Sequence, residues 1–263
     1  MACQRNALVP AILWFIGILV IGFISGCVPN ETLRKQGESS RNLGEAYMSQ
    51  QNYTAALKEL LTAERLTPGD PYLHNDLGLT YMAKDRLDLA IVHFKKALAL
   101  KTDYTPAMNN LGTAYLAQQN WDAAIVCFKS ITGDMLYVTP HFPLSNLGLA
   151  YYNQKNYDMS AKYYQQALKV EPSFPPAIRG LGRTYQAQGK HVEAIVVLEE
   201  GVKLFPKSPE LHSELGSAYM ASKNYSAAAA SYTRVIELSQ ASSPLAREAK
   251  NLLISCGQNN ELL

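Results

Sequence analysis

Small and large apolar residues recur along the chain in units of about 34 residues. Each unit carries Leu-Gly followed three positions later by Tyr, and these three positions lie along one stripe of a helix. Twelve residues after the glycine comes a small residue, and four further on a large one. The glycines are Gly44, Gly78, Gly112, Gly148, Gly182 and Gly216, at spacings of 34, 34, 36, 34 and 34. The pattern predicts six helix pairs, in which the glycine lets the second helix approach the first closely.

The second helix of each predicted pair has its own recurring positions. A small residue is expected where the two helices cross, and a large one between neighbouring pairs. The small residues are Ala56, Ala90, Ala124, Ser160, Ala194 and Ala228, and the large ones are Leu60, Phe94, Phe128, Tyr164, Leu198 and Tyr232. Asparagine followed by an aromatic residue begins four of these helices, at Asn52, Asn120, Asn156 and Asn224. Asparagine suits such a helix junction because its side chain can cap the helix.

The segment after the sixth unit predicts a capping helix over residues 243–263. Ser243 is the expected N-cap, Pro244 lies in the first turn, and Gly257 is expected to follow the end. Leu245, Ala249, Leu252, Leu253 and Cys256 share one apolar face. A terminal repeat needs such a cover, because no further repeat shields its apolar surface.

The repeat spacing slips by two residues in SITGDMLYVTPHFPLSNLG, residues 130–148. Gly133 and Asp134 are expected to break the second helix of the third unit, and Pro140 and Pro143 frame the entry to the fourth. One interpretation is a tolerated loop insertion. The other is a kink or contact loop that exposes Leu136, Tyr137 and Phe142.

Six in-register copies of L-G-x-x-Y make the array resemble the tetratricopeptide repeat. The resemblance implies an all-α fold, a right-handed α-solenoid. Its repeats would cover residues 37–70, 71–104, 105–140, 141–174, 175–208 and 209–242. The early tryptophan of the family is missing, and Ser40, His74, Met108, Leu144, Ile178 and His212 stand in its place.

The N-terminal segment indicates a targeting signal. Residues 7–24 carry no charge, and Ile24-Ser25-Gly26-Cys27 resembles the bacterial lipobox. That resemblance implies a signal peptide over residues 1–26, a lipid on Cys27 and a tether over residues 27–36 that is either flexible or helical. An uncleaved signal-anchor helix is the alternative. Val28, which is not aspartate, favours the outer membrane, with the body of the protein in the periplasm.

Charge and motifs argue against catalysis and nucleic-acid binding. With 24 basic and 22 acidic residues the chain is near neutral, which gives no electrostatic case for nucleic acid. Phosphate loops, metalloprotease motifs and nucleophile elbows are absent from the sequence. The five histidines are scattered without metal-ligand spacing, so no metal and no cofactor besides the covalent lipid are expected. Cys127 and Cys256 are interpreted as buried free thiols, although a disulfide is an alternative.

The family resemblance implies a concave groove, lined by the first helices, as the partner-binding surface. Carried over position by position, it indicates Asn75, Asp76, Leu79, Met82, Asn109, Asn110, Thr113, Leu116, Ser145, Asn146, Leu149, Tyr152, Arg179, Arg183 and Gln186. This lining is apolar and amide-rich and turns basic in the fifth unit. An extended or helical protein segment with apolar side chains would fit it, whereas a C-terminal carboxylate or a small-molecule substrate would not. A solvated face without a ligand is the alternative.

Six such repeats behind a lipobox resemble the type IV pilus pilotin lipoproteins of the PilF, PilW and Tgl group. The resemblance implies an outer-membrane-anchored adaptor that helps secretin subunits to reach, insert in or multimerise at the outer membrane. A general envelope scaffold that docks peptidoglycan hydrolases is the alternative, and an enzyme with an unrecognised site is a third.

Overall fold

The computed structural model describes residues 31–132 and 139–260 of the chain. The proposed signal peptide, Cys27 and the loop residues Leu136 and Tyr137 lie outside the described residues. The predictions made for them therefore stay predictions.

Thirteen α-helices and no strand make up the described residues. They are α1 (Glu31–Ser49), α2 (Tyr53–Leu66), α3 (Pro71–Ala83), α4 (Leu87–Leu100), α5 (Thr105–Ala117), α6 (Trp121–Ile131), α7 (His141–Asn153), α8 (Tyr157–Val170), α9 (Pro175–Ala187), α10 (His191–Leu204), α11 (Pro209–Ala221), α12 (Tyr225–Leu238) and α13 (Pro244–Asn260). Odd-numbered helices from α1 to α11 are the first helices of the six predicted pairs, and even-numbered helices are the second. The predicted all-α solenoid of helix pairs is confirmed.

The way in which successive pairs stack gives the array an inner side. Each first helix contacts its second helix and also the first helix of the next repeat, as α9 contacts both α7 and α11. Within the described residues, second helices approach one another less closely than first helices do. The first helices therefore line the inner, concave side, and the second helices form the outer, convex side.

Close packing within a pair explains the recurring glycines. A Cβ atom added to Gly112 on α5 would lie 2.7 Å from a ring carbon of Phe128 on α6. Phe128 is fully buried, and so is Ala124 one turn before it. The large residue thus lies on the glycine of its own pair, as well as against Leu147 of the next repeat. The sequence prediction had placed it only between neighbouring pairs.

The turns inside the pairs combine a side-chain cap with a left-handed residue. Asn52, Asn120, Asn156 and Asn224 each accept a hydrogen bond from the backbone N–H three residues on, which confirms the predicted caps. Seven residues after each recurring glycine the backbone is left-handed, with φ of 58–61° at five non-glycine residues and 74° at Gly189. This conformation is strained for residues that carry a Cβ.

Both ends of the array differ in length from the sequence prediction. Residues 31–36 belong to α1, so the helical alternative for this part of the tether is the correct one. At the other end, Ser243 Oγ accepts a hydrogen bond from Ala246 N, as predicted for the N-cap. The predicted end at Gly257 is wrong, because α13 continues to Asn260. Gly257 does not take the positive φ that would end a helix.

Both cysteines of the helical array lie in its apolar core. Cys127 and Cys256 are buried free thiols, in agreement with the first interpretation. Cys256 lies in the cluster that joins α13 to the sixth pair, together with Tyr232 and Ala249.

Near the segment where the repeat spacing is two residues longer, α6 ends at Ile131 and Pro143 is buried in α7. Phe142 is exposed there and packs edge-on against Phe174 at 5.2 Å.

Candidate functional site

The inner side of the solenoid forms a groove along α3, α5, α7, α9 and α11. We call it the concave groove, and it contains the candidate partner-binding residues. The recurring glycine and leucine of each first helix face the second helix, so residues two or three before the glycine, and one or four after it, turn towards the neighbouring first helix. The contacts below join residues at these positions in adjacent repeats.

The apolar positions of the concave groove are not a continuous exposed strip. Leu79 and Met82 are half-buried and pack against the cluster of Ile91, Phe94 and Leu111. Leu116 packs against the neighbouring cluster around Phe128. Only Leu149, with 38% of its surface exposed, is an exposed large hydrophobic residue of the predicted set. Leu79, Met82 and Leu116 therefore divide their surface between the core and the groove, and their role in partner binding stays a prediction.

Amides connect the second and third repeats on the inner side. Asn110 Nδ2 donates to Asn75 Oδ1 over 2.9 Å, and Asn75 is almost fully buried. Thr113 donates to the carbonyl of Asn109 within α5 and so is satisfied locally. Ser145 is buried, whereas Asn146 is half-buried on the same helix. The amide lining that the sequence predicted is present, and part of it is committed to contacts between repeats.

An acidic pair lies beside these amides at the first repeat. Asp76 on α3 faces Glu45 on α1, and Arg41 on α1 contacts Glu45 at 3.3 Å. Burial, together with the charge and hydrogen bond of Glu45, raises the pKa of Asp76 to about 7. Arg41 and Asn75 oppose that rise. Asp76 therefore keeps its proton at mildly acidic pH, because burial and the neighbouring carboxylate of Glu45 disfavour its charged form.

The predicted basic end of the groove is partly neutralised by one carboxylate. The guanidinium groups of Arg179 and Arg183 on α9 lie 3.7 and 3.9 Å from the same oxygen of Glu214 on α11. Burial raises the pKa of Glu214, while both arginines act against that rise. Arg183 also lies over the ring of Tyr152, with its Cζ 5.2 Å from the ring centroid. The sequence prediction missed Glu214, because the position two before Gly216 was considered only for repeats two to five.

Several buried polar atoms of the groove lack a hydrogen-bond partner among the described residues. They are Asp76 Oδ2, Asn109 Oδ1 and Arg179 Nε, each two or three residues before a recurring glycine. An unsatisfied buried polar atom costs free energy, and in native proteins such an atom calls for an explanation. All three belong to side chains on the first helices, which line the concave groove.

Two histidines that looked scattered in the sequence meet on the convex side. His74 on α3 and His93 on α4 approach through their Nδ1 atoms at 3.1 Å, near Glu64 of α2. His74 is fully buried, in the position where the family has tryptophan. The spacing of 19 residues between the two histidines matches no short metal motif, which is why the sequence analysis dismissed them.

No helix in residues 31–132 or 139–260 has the length and apolar character needed to span a bilayer. The uncharged segment at residues 7–24 is not part of those ranges.

Repeated helix pairs with a polar inner groove define a class of α-solenoid that binds other proteins. Family models agree with this class. Models described as tetratricopeptide repeat match residues 143–174, 81–134 and 186–253, and a model described as TPR repeat matches residues 44–85. The chain belongs to the tetratricopeptide-repeat proteins. These models describe a scaffold and not a catalytic domain.

Solved structures with the same fold include two pilus proteins. PilW, described as a widely conserved type IV pilus biogenesis factor, is similar with a TM-score of 0.74 and 21% identity over 81% of this chain and 97% of its own. PilF of Pseudomonas aeruginosa is similar with a TM-score of 0.70 and 18% identity over 84% and 99%. Cut9 in the APC/C Cut9–Hcn1 hetero-tetramer is similar with a TM-score of 0.69 and 16% identity, over 93% of this chain and 45% of its own. No curated protein matches the sequence. In fold, the chain therefore resembles the PilF and PilW group.

Proposed function

We propose that this protein is a lipid-anchored adaptor of the bacterial outer membrane, which faces the periplasm and binds a protein client in its concave groove. The client we propose is a secretin subunit, so that the protein acts as a pilotin in type IV pilus biogenesis. It would act by binding, without a catalytic step and without a cofactor beyond the lipid on Cys27.

The observation that carries this proposal is the extent of the likeness to PilW and PilF. Nearly the whole of each of those chains, 97% of PilW and 99% of PilF, is covered by more than four fifths of this chain. Cut9, in contrast, is covered over less than half of its length. A likeness that extends over nearly the full length of these two chains favours a pilus adaptor over a general tetratricopeptide scaffold.

The chemistry of the groove supports a polypeptide client. Exposed Leu149 offers apolar surface in the middle of the groove, and Asn109 and Arg179 hold unsatisfied polar atoms on either side of it. A strand or helix with apolar side chains would cover the leucine, while its backbone groups pair with polar side chains that line the groove.

A lipid anchor would make this binding effective at the membrane. Each buried methylene contributes about 0.8 kcal/mol, so several acyl chains hold a protein durably where one does not. A client captured by a tethered groove then experiences a high effective concentration at the membrane surface.

The proposal is tested by secretin multimer levels in the producing organism. We expect deletion of the gene to convert the heat-stable secretin multimer into monomer on an immunoblot, with restoration by the wild-type gene. Normal multimer in the deletion strain would contradict the pilotin role. Capture of peptidoglycan hydrolases with normal multimer levels would instead support an envelope scaffold.

A further inference from the structure

We propose that Glu64, His74 and His93 form a site for a divalent transition metal of the zinc class on the convex side of the solenoid. The three side chains come from α2, α3 and α4, and their ligating atoms all lie within 4.8 Å of one another. The site is separate from the concave groove and independent of the client proposed above.

The distance between the two imidazoles suits coordination of one ion. Zinc bonds to histidine nitrogen are about 2.0–2.1 Å long, so two nitrogens in a tetrahedral shell lie about 3.3 Å apart. His74 Nδ1 and His93 Nδ1 are 3.1 Å apart. Glu64 Oε1 lies 3.9 Å from His74 Nδ1, and a small rotation of this partly exposed carboxylate completes a three-ligand face with room for water.

The surroundings of His74 fix the tautomer that a metal needs. Its Nε2 lies 2.9 Å from the carbonyl oxygen of Pro68, so Nε2 carries the proton and donates it. Nδ1 is then a free lone pair aimed at His93. A metal-bound histidine usually donates its other N–H to a carbonyl or carboxylate in the same way, which orients the ring.

The second histidine is also held in place. The ring of His93 stacks on Tyr81, with centroids 5.3 Å apart, and meets the ring of His74 edge to edge through the two Nδ1 atoms, with centroids 5.4 Å apart. Without an ion, His93 Nδ1–H donates to His74 Nδ1. On binding, His93 moves this proton to Nε2 and offers the Nδ1 lone pair to the metal. Burial lowers the pKa of both histidines.

The sixth repeat contains an internal comparison. His212 occupies the same repeat position as His74, and its Nε2 lies 3.1 Å from the carbonyl oxygen of Pro206. At the positions equivalent to Glu64 and His93, however, the chain has Val202 in the fifth repeat and Ser231 in the sixth. A histidine at this position therefore ties down the preceding loop in both cases, and only His74 has two further ligands beside it.

Lys96 is the competitor for the third ligand. Its ammonium lies 3.3 Å from Glu64 Oε1, and the side chain is exposed enough to swing away. A bound cation and this ammonium cannot both hold the carboxylate at full strength. Lys96→Gln should therefore tighten metal binding, and Glu64→Gln should weaken it.

Zinc titration of the full-length protein, purified in detergent without a histidine tag and monitored with a competing chromogenic chelator, tests the site. We expect one equivalent to bind, with a raised melting temperature that returns to its starting value on adding a chelator. His93→Gln should weaken binding at least about tenfold, since even outer-shell changes cost that much. The matched control, His212→Gln, should bind as the wild type does.

Two results would overturn the proposal. One is the absence of stoichiometric binding below millimolar zinc in the wild-type protein, and the other is equal affinity in the wild type and His93→Gln. Unchanged affinity in both Glu64→Gln and Lys96→Gln would remove Glu64 from the site. Cobalt substitution gives an independent readout, because a low-symmetry site with nitrogen and oxygen ligands should produce visible absorption that His93→Gln loses.

Discussion

Asn110 of the third repeat donates a hydrogen bond to Asn75 of the second over 2.9 Å on the inner side of the solenoid. The next residue back, Asn109, holds a buried amide oxygen without a partner among the described residues. These two adjacent asparagines of α5 therefore differ in their hydrogen bonding. One joins neighbouring repeats, and the other leaves its buried amide oxygen without a partner in the described residues.

Replacing Leu116 or Leu149 of the concave groove with glutamate should change the stability of the protein to different extents. Leu116→Glu should lower the free energy of unfolding by about 2 kcal/mol or more, because Leu116 packs against a core cluster. Leu149→Glu should change it by no more than about 0.5 kcal/mol, because Leu149 is exposed. Urea unfolding followed by circular dichroism measures both, and equal losses would contradict the packing described here.

Asp76 should make the stability depend on pH. The unfolded chain releases this proton near pH 4 and the folded protein near pH 7. Between these values the folded state binds more protons than the unfolded state, so stability should fall as the pH rises from about 4 to about 7.

Asp76→Asn should remove this fall and stabilise the protein at pH 8 by about 1–3 kcal/mol, because the amide carries no charge for burial and Glu45 to oppose. Unfolding free energies at pH 5 and pH 8 check the prediction. The exposed Asp103→Asn serves as the control and should leave the slope in place. A slope retained in Asp76→Asn would assign the effect to other groups.

The left-handed turn at Gly189 should tolerate a side chain poorly. Gly189→Ala should cost about 1 kcal/mol of stability, because φ is +74° and a Cβ there is strained even though it would meet no neighbouring atom. Gly69→Ala is the matched control, since its Cβ would also lie in open space but without a positive φ. Thermal melting of the two variants separates them, and equal shifts would contradict the backbone explanation.

The proposed lipid anchor depends on one residue outside the described ranges. Cys27→Ala should abolish acylation and signal cleavage, leaving unprocessed precursor. Metabolic labelling with palmitate and the electrophoretic size of the protein provide the measurement. Labelled protein of mature size from this variant would contradict the anchor.

The helix pairs could be predicted from sequence because their determinants are local and repeated. The recurring glycine and the large residue that contacts it, such as Gly112 and Phe128, are 16 residues apart in every repeat. Asn120 likewise caps the helix that starts next to it. Contacts between repeats follow no such period. Leu116 fits an inward-facing position by spacing alone, but the bulk of neighbouring helices covers it.

Electrostatic partners across repeats were harder still to predict. The sequence predicts a basic patch at Arg179 and Arg183. The structure brings Glu214, which lies 31 residues beyond Arg183, into contact with both arginines. The contact between His74 and His93 likewise depends on how α3 and α4 cross and on the side-chain rotamers, neither of which the spacing specifies.

The central claim is that the concave groove binds the secretin client, and a binding titration tests it directly. Purified secretin subunit is immobilised, and the affinities of wild type, Leu149→Glu and Val192→Glu are compared. Val192 is 72% exposed on α10, on the convex side, and is the matched control. We expect Leu149→Glu to weaken binding about tenfold or more, because its carboxylate would be desolvated against an apolar ligand, and Val192→Glu to bind as the wild type does. Equal affinity of all three proteins would show that the client binds elsewhere.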